Sequence, residues 1–188
     1  MEKQKIMSIG SHCDDVELGT GGTLAKFYEL GYVIVYVMST NNMSGGTQEL
    51  QPDGTVKRWV ENNVDMMARR KRECTDAAAL LGTEPIHLDH PQRHCRGADL
   101  ETIELRYGCA RPESVSDDVP TIVTAYEDKA SRQRLVDLIM EHDPACIFTH
   151  GLCSGNIEHI ATCLLVTKCY WDAVEEGYKG GLLYWRED

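Results

Sequence analysis

No run of apolar residues in this sequence approaches the roughly 20 needed to span a bilayer. The first residues, Met1 to Lys5, lead into a short apolar strand with neither the apolar core nor the small-residue cleavage site of a secretory signal. A cytoplasmic protein is therefore expected. None of the 8 cysteines stands in a C-x-x-C pair, and several sit within apolar runs. They are expected to be reduced thiols, mostly small buried hydrophobes. Positive charge is scarce, with 19 Lys and Arg against 30 Asp and Glu and a net charge of -11. Phosphate backbones and anionic lipid surfaces repel such a chain, so neither nucleic acid nor membrane is an expected partner. A neutral substrate such as a sugar stays open. The glycine-rich Gly19-Thr20-Gly21-Gly22 has no Lys-Ser/Thr pair after it and lacks the full G-x-G-x-x-G spacing. That argues against a phosphate loop. Glycines at a helix start are expected instead to let the helix pack closely on a sheet. No repeat, low-complexity segment or linker divides the 188 residues, so one domain over 1–188 is expected.

What is present alternates. Ile6 to Ile9 reads as a strand ending in a Gly-Ser turn. Leu18 to Leu30 has helical periodicity and stops at Gly31. Tyr32 to Ser39 is β-branched and apolar, the pattern of a strand buried on both faces of a parallel sheet. Thr40 to Val56 reads as a long loop. Asn62 to Leu81 is an amphipathic helix ending at Gly82. Ile86 to Leu88 is a brief strand. The stretch Asp89 to Lys129 is not legible beyond a short helix expected near Leu100 to Arg106. Arg132 to His142 is a helix stopped by Asp143-Pro144, Ala145 to Thr149 a strand, Ile157 to Glu176 a helix, and Gly180 to Trp185 a last strand. This order predicts an α/β fold with a mostly parallel, doubly wound sheet. Such sheets bind ligands beyond the carboxyl ends of their strands, at a topological switch point.

The chemistry-bearing residues fall where that rule points. His12, Asp14 and Asp15 directly follow the first strand. A His and a carboxylate three apart in a tight turn can face one metal, while a second carboxylate lies beside its open position. Zinc takes such N/O ligands. It lowers the pKa of a bound water from 15.7 to about 7, and a neighbouring carboxylate can take the remaining proton. The competing reading is an Asp that caps the helix. A third ligand should come from another strand end. His159, early in the last helix, is one candidate and His150 the other, although a strand-end histidine bonded to backbone is the plainer role for His150. His87, His90 and His94 follow the third strand and are candidates to line the substrate side.

The segment Ser11-His12-Cys13-Asp14-Asp15-Val16-Glu17-Leu18-Gly19, with Gly21-Gly22-Thr23-Leu24-Ala25, resembles the opening motif of the PIG-L (LmbE-like) zinc de-N-acetylase family, usually A-H-P-D-D-x-E-x-G-x-G-G-T-L-A. The loop Thr40-Asn41-Asn42-Met43-Ser44-Gly45-Gly46, the helix Arg70 to Gly82, the segments Pro144 to His150 and Ser154 to Thr162, and Leu183-Tyr184-Trp185 are similar to its later features. The resemblance implies a Rossmann-like three-layer fold and hydrolysis of an N-acetyl group, usually on an N-acetylglucosamine unit. It implies His12, Asp15 and His159 as zinc ligands and Asp14 as general base. It also implies Arg70 as a substrate contact; Asn41, in the loop after the second strand, and His94 are expected on the substrate side. Another divalent metal in place of zinc remains open.

The sequence departs from the family pattern at positions that bear on the site. Cys13 replaces a proline. Glu158 replaces an Asp. Asn156 stands where a histidine is usual, one that stabilises the oxyanion or protonates the leaving amine. An Asn amide can donate to an oxyanion but cannot act as an acid. The chain also stops earlier than many members, which would leave one cleft wall open or for a second subunit to close, so a homo-oligomer is expected. The alternatives to a sugar deacetylase are a catalytically weak amino-sugar-binding protein on the same fold and an amidase acting on a non-sugar or thiol conjugate.

Overall fold

The computed structural model describes residues 3–105 and 118–185. Five parallel strands form the central sheet: β1 (Lys5–Gly10), β2 (Val33–Thr40), β5 (Pro85–His90), β8 (Cys146–His150) and β9 (Gly181–Trp185). Their order is β5-β2-β1-β8-β9. The chain runs outward from β1 through β2 to β5, then returns to the other side of β1. The switch point therefore lies between β1 and β8, which pair from Ile6↔Cys146 to Ile9↔Thr149.

Helices α1 (Asp15–Glu29) and α2 (Asn63–Ala79) cover one face, and α3 (Ile122–Ala125), α4 (Lys129–His142) and α5 (Ile157–Glu175) cover the other. Successive strand residues point to opposite faces. Met7, Ile9, Val35 and Val37 accordingly join Leu135, Ile139 and Leu165 of α4 and α5. Ile6, Ile34, Tyr36 and Met38 join Val16 and Leu24 of α1 and Cys74 and Ala78 of α2. Burial on both faces explains the unbroken apolar run of β2. Each such large side chain contributes roughly 1.5–3 kcal/mol relative to exposure. The three-layer α/β architecture expected from the sequence is thus present.

Two local expectations need correction. The stretch read as a loop from Thr40 to Val56 holds β3 (Thr47–Leu50), paired antiparallel with β4 (Val56–Trp59). This hairpin is largely exposed on both faces, so no apolar alternation marks it in the sequence. The short helix expected near Leu100 to Arg106 is a strand instead. There β6 (His94–Arg96) pairs with β7 (Thr102–Glu104). Asp99 Oδ1 accepts from Glu101 N, and Leu100 turns left-handed at φ 67, so the segment reverses rather than coils. Arg106 lies outside the described residues. Helix α1 also begins at Asp15, earlier than the periodicity indicates.

Cys13, Cys74, Cys95, Cys163 and Cys169 are buried, and Cys153 is exposed. Cys109 lies outside the described residues. Among the described residues no helix is long and apolar enough to cross a membrane. Of the glycines expected to bring a helix onto the sheet, Gly19 does so. A Cβ there would lie 2.7 Å from the Trp185 ring, whereas one on Gly22 would meet nothing. Gly19→Ala is expected to lower stability by about 1–3 kcal/mol through this overlap, against the usual helix preference for Ala. Chemical denaturation measures it, and an unchanged midpoint would contradict the tight packing.

Candidate active site

At the switch point the chain turns under α1. A side chain on Gly10 would approach Met38 Cε and Val16 Cγ2 at 2.9 Å, so only hydrogen fits there. The turn closes with His12 N donating to Asp15 Oδ2 at 2.6 Å and Asp15 N donating to His12 O at 3.2 Å. Asp14 sits at the N-cap of α1 with φ 146, and its side chain makes no cap hydrogen bond. The capping explanation for the Asp pair therefore fails for Asp14, whose carboxylate stands open at the cleft wall. The unusual φ is strain of order 1–3 kcal/mol, the kind concentrated at functional sites.

Three side chains converge beside it. His12 Nδ1 lies 3.3 Å from Asp15 Oδ2 and 3.0 Å from His159 Nε2. His159 Nε2 lies 3.4 Å from Asp15 Oδ1. One ligand atom from each of the three falls within 4.8 Å of the other two. The outer ring nitrogens are already engaged. His12 Nε2 is 2.7 Å from Glu158 Oε2, and His159 Nδ1 is 3.2 Å from Ser154 Oγ. An ionised carboxylate only accepts, so His12 donates from Nε2 to Glu158, and Nδ1 is the atom that would face a cation. Two imidazole nitrogens and a carboxylate around an open fourth position fit zinc or a similar divalent ion. The carboxylate behind the histidine completes that pattern.

The electrostatics agree with this fit. Burial opposes charge on His12, but the bonds and charges of Asp15 and Glu158 outweigh it and raise its pKa to about 9. The field that favours an imidazolium favours a cation. Burial pushes Asp15 up, but His12 and His150 more than reverse it, leaving Asp15 well below the usual carboxylate range. Glu158 is drawn down to about 2 by its hydrogen bonds, again against the cost of burial. Asp14 moves the other way. Partial burial and the adjacent Asp15 charge raise its pKa, placing it nearer the range of a proton-transfer group.

The remaining residues of interest separate clearly. His150 is fully buried, accepts Ser11 N–H at Nε2 (3.0 Å) and stacks on His159 at 4.2 Å between centroids. It is the backbone-bonded strand-end histidine, and its Nε2 also lies 3.2 Å from Asp15 Oδ2, behind the cradle. Arg70, His94 and Asn156 line the same cleft as Asp14, a space of about 580 Å³. Arg70 is tied to Glu73 (3.1 Å) and reaches the carbonyl of Cys13 (3.4 Å). Asn156 caps α5, its Oδ1 accepting from Glu158 N (2.9 Å), which leaves Nδ2 as its donor for a ligand. Asn41 is buried, and its side chain bonds Met43 within its own loop. Its neighbour Asn42 lines the cleft instead, at φ 57, and accepts from Cys13 N at 2.7 Å. His90 bonds the carbonyl of Pro120, and His87 stays outside the cleft lining. Sequence reasoning missed Asn42 and Gln92. The tolerance of Asn for left-handed backbone was a signal for the first, and nothing local marked the second. Among the described residues, a depression of equal volume at the opposite end of the sheet, around Lys5 and Pro144, gathers no comparable set of ligands.

Fold and site together define an α/β protein with a candidate metal cradle at the switch point of a parallel sheet. The family model for PIG-L, described as GlcNAc-PI de-N-acetylase, matches residues 7–170, and the chain belongs to that family. Diacetylchitobiose deacetylase of Thermococcus kodakarensis is 32% identical over 84 residues, covering 45% of this chain and 28% of that protein. Among solved structures, N,N'-diacetylchitobiose deacetylase from Pyrococcus horikoshii superimposes with a TM-score of 0.64 at 19% identity, over 98% of this chain and 61% of that one. The 4-carboxy-2-hydroxymuconate hydratase from Pseudomonas putida gives a TM-score of 0.60 at 20% identity, over 94% and 60%. The chain thus spans less than two thirds of each of these proteins. At such identities the solved structures speak to fold alone, and a hydratase among them shows that this fold serves more than one reaction.

Proposed function

We propose that the protein is a zinc-dependent hydrolase that removes the acetyl group from an N-acetylglucosamine-type sugar or conjugate. Its products are acetate and the free amine. The observation that carries this reading is the convergence of His12 Nδ1, the Asp15 carboxylate and His159 Nε2 within 4.8 Å, beside the uncapped Asp14. The family description and the two diacetylchitobiose deacetylases support an acetamide as the substrate group. A divalent ion held by His12, Asp15 and His159 would supply Lewis-acid polarisation and an acidified water.

The chain's own residues do the rest. Asp14 accepts a proton from the attacking water and returns it to the departing amine, covering the acid role that Asn156 cannot fill. Asn156 Nδ2 donates to the developing oxyanion. Arg70 and His94 hold the sugar, while Asn41 shapes the loop from behind. Asn156→Asp keeps the cap acceptor and removes the donor. Turnover is expected to fall about 10²–10³-fold with an unchanged melting temperature, and unaltered kcat would remove Asn156 from the mechanism.

Asn156 also favours a second reading, an amino-sugar-binding protein of weak activity, because an amide cannot protonate a leaving amine. Acetate release from a panel of N-acetylated sugars, with and without chelator, separates the two. Chelator-sensitive turnover of any member at an ordinary rate establishes the hydrolase. Binding without turnover establishes the alternative. Chelator-insensitive release would sink the metal-dependent reading.

A further inference from the structure

We infer that Gln92 is a positioning residue that ties the loop after β2 to the cation cradle, so that cation affinity depends on a side chain touching neither cation nor cradle ligand. The inference rests on the cradle proposed above. Gln92 lies between β5 and β6 and is 4% exposed. Its Oε1 accepts the backbone N–H of Ser44 at 2.7 Å, and its Nε2 donates to Glu158 Oε2 at 2.9 Å. The partners fix which end is which, because a backbone N–H only donates and an ionised carboxylate only accepts. Glu158 is itself buried, at 3% exposure. Its Oε2 also accepts from His12 Nε2 (2.7 Å), and its Oε1 accepts from Arg93 N (2.8 Å). A glutamate has one more side-chain torsion to fix than the aspartate usual at this position. The Gln92 and Arg93 donors supply that restraint on the two carboxylate oxygens.

Without the Gln92 donor, Oε2 is held by His12 alone, and the carboxylate gains freedom to turn. His12 then loses the fixed acceptor that keeps its proton on Nε2 and its Nδ1 lone pair turned into the cradle. The carboxylate behind a metal-bound histidine is worth about 10–100-fold in metal affinity. Gln92, one bond further out, is expected to be worth about tenfold. The same amide holds Ser44 at the cleft wall, so loop position and cation site are joined through one side chain.

The test is a zinc titration in competition with a chromogenic chelator, with melting temperature recorded in parallel. The proteins are wild type, Gln92→Met, Gln92→Glu, Glu158→Ala and the Gln92→Met/Glu158→Ala double variant. Gln92→Met should bind zinc about tenfold more weakly, and the double variant should bind no more weakly than Glu158→Ala alone. That non-additivity is what action through Glu158 requires. Gln92→Glu keeps the acceptor for Ser44 but sets a like charge against Glu158, and it should also bind more weakly. Should Gln92→Met fail to fold, Gln92→Glu decides by the same reading. Wild-type affinity in the Gln92 variants, or losses that add in the double variant, would overturn the inference. A wild type that does not bind zinc overturns the cradle and this inference with it. A wild type that binds, beside Gln92 variants that bind equally, overturns this inference alone.

Discussion

Asp14→Asn is expected to retain its cation and to lose about 10²–10⁴ of its turnover, the usual contribution of a positioned general base. Asp14 belongs to the same turn as two cradle residues, yet its carboxylate serves neither the turn nor the helix cap. Its neighbour Asp15 accepts His12 N–H and faces both ring nitrogens of the cradle. On the proposed reading the two carboxylates would divide the work, Asp15 holding the cation and Asp14 moving a proton. Asn matches Asp in size and shape and the Asp14 side chain makes no cap hydrogen bond, so the substitution tests chemistry rather than folding. Zinc affinity within a fewfold of wild type, with kcat reduced and KM little changed, is the expected pattern. Full activity in this variant would remove Asp14 from the mechanism.

Asp15→Ala should do more damage, and of another kind. The variant loses a proposed ligand, the acceptor for His12 N at 2.6 Å and the negative charge beside His12 and His150. Zinc affinity should fall by well over 10²-fold and chelator-sensitive activity should disappear. Stability should drop by about 1–3 kcal/mol, because a buried N–H is left without its acceptor. Isothermal titration and thermal melting on the same samples separate these effects. Intact zinc affinity in a folded Asp15→Ala protein would place the cation elsewhere.

Much of this arrangement could be read in the sequence, for physical reasons that differ by segment. The strands β1 and β2 announced themselves because both faces are buried, so most of their positions are apolar. Alternation with helices then gave the parallel sheet, and the sheet gave the switch point. His12 and Asp15 were legible because their meeting is local. His159 and His150 were not separable by spacing, since one ends β8 and the other comes soon after it. What separates them is a bond from Ser11 N to His150 Nε2 across 139 residues. Long-range contacts of this sort leave no periodic trace. Gln92 is a similar case, reaching Glu158 66 residues away from a segment with no regular pattern. The β3–β4 hairpin escaped for the opposite reason, because exposed faces place few demands on their residues.

The central claim is that one divalent ion sits among His12, Asp15 and His159. A crystal structure of protein purified without chelator and supplied with zinc, with anomalous data at the zinc edge, tests it most directly. One strong peak is expected, bound by His12 Nδ1, the Asp15 carboxylate and His159 Nε2, with Glu158 still holding His12 Nε2. A peak bound through His150 or a cysteine, or no peak in the cradle at saturating zinc, would contradict it.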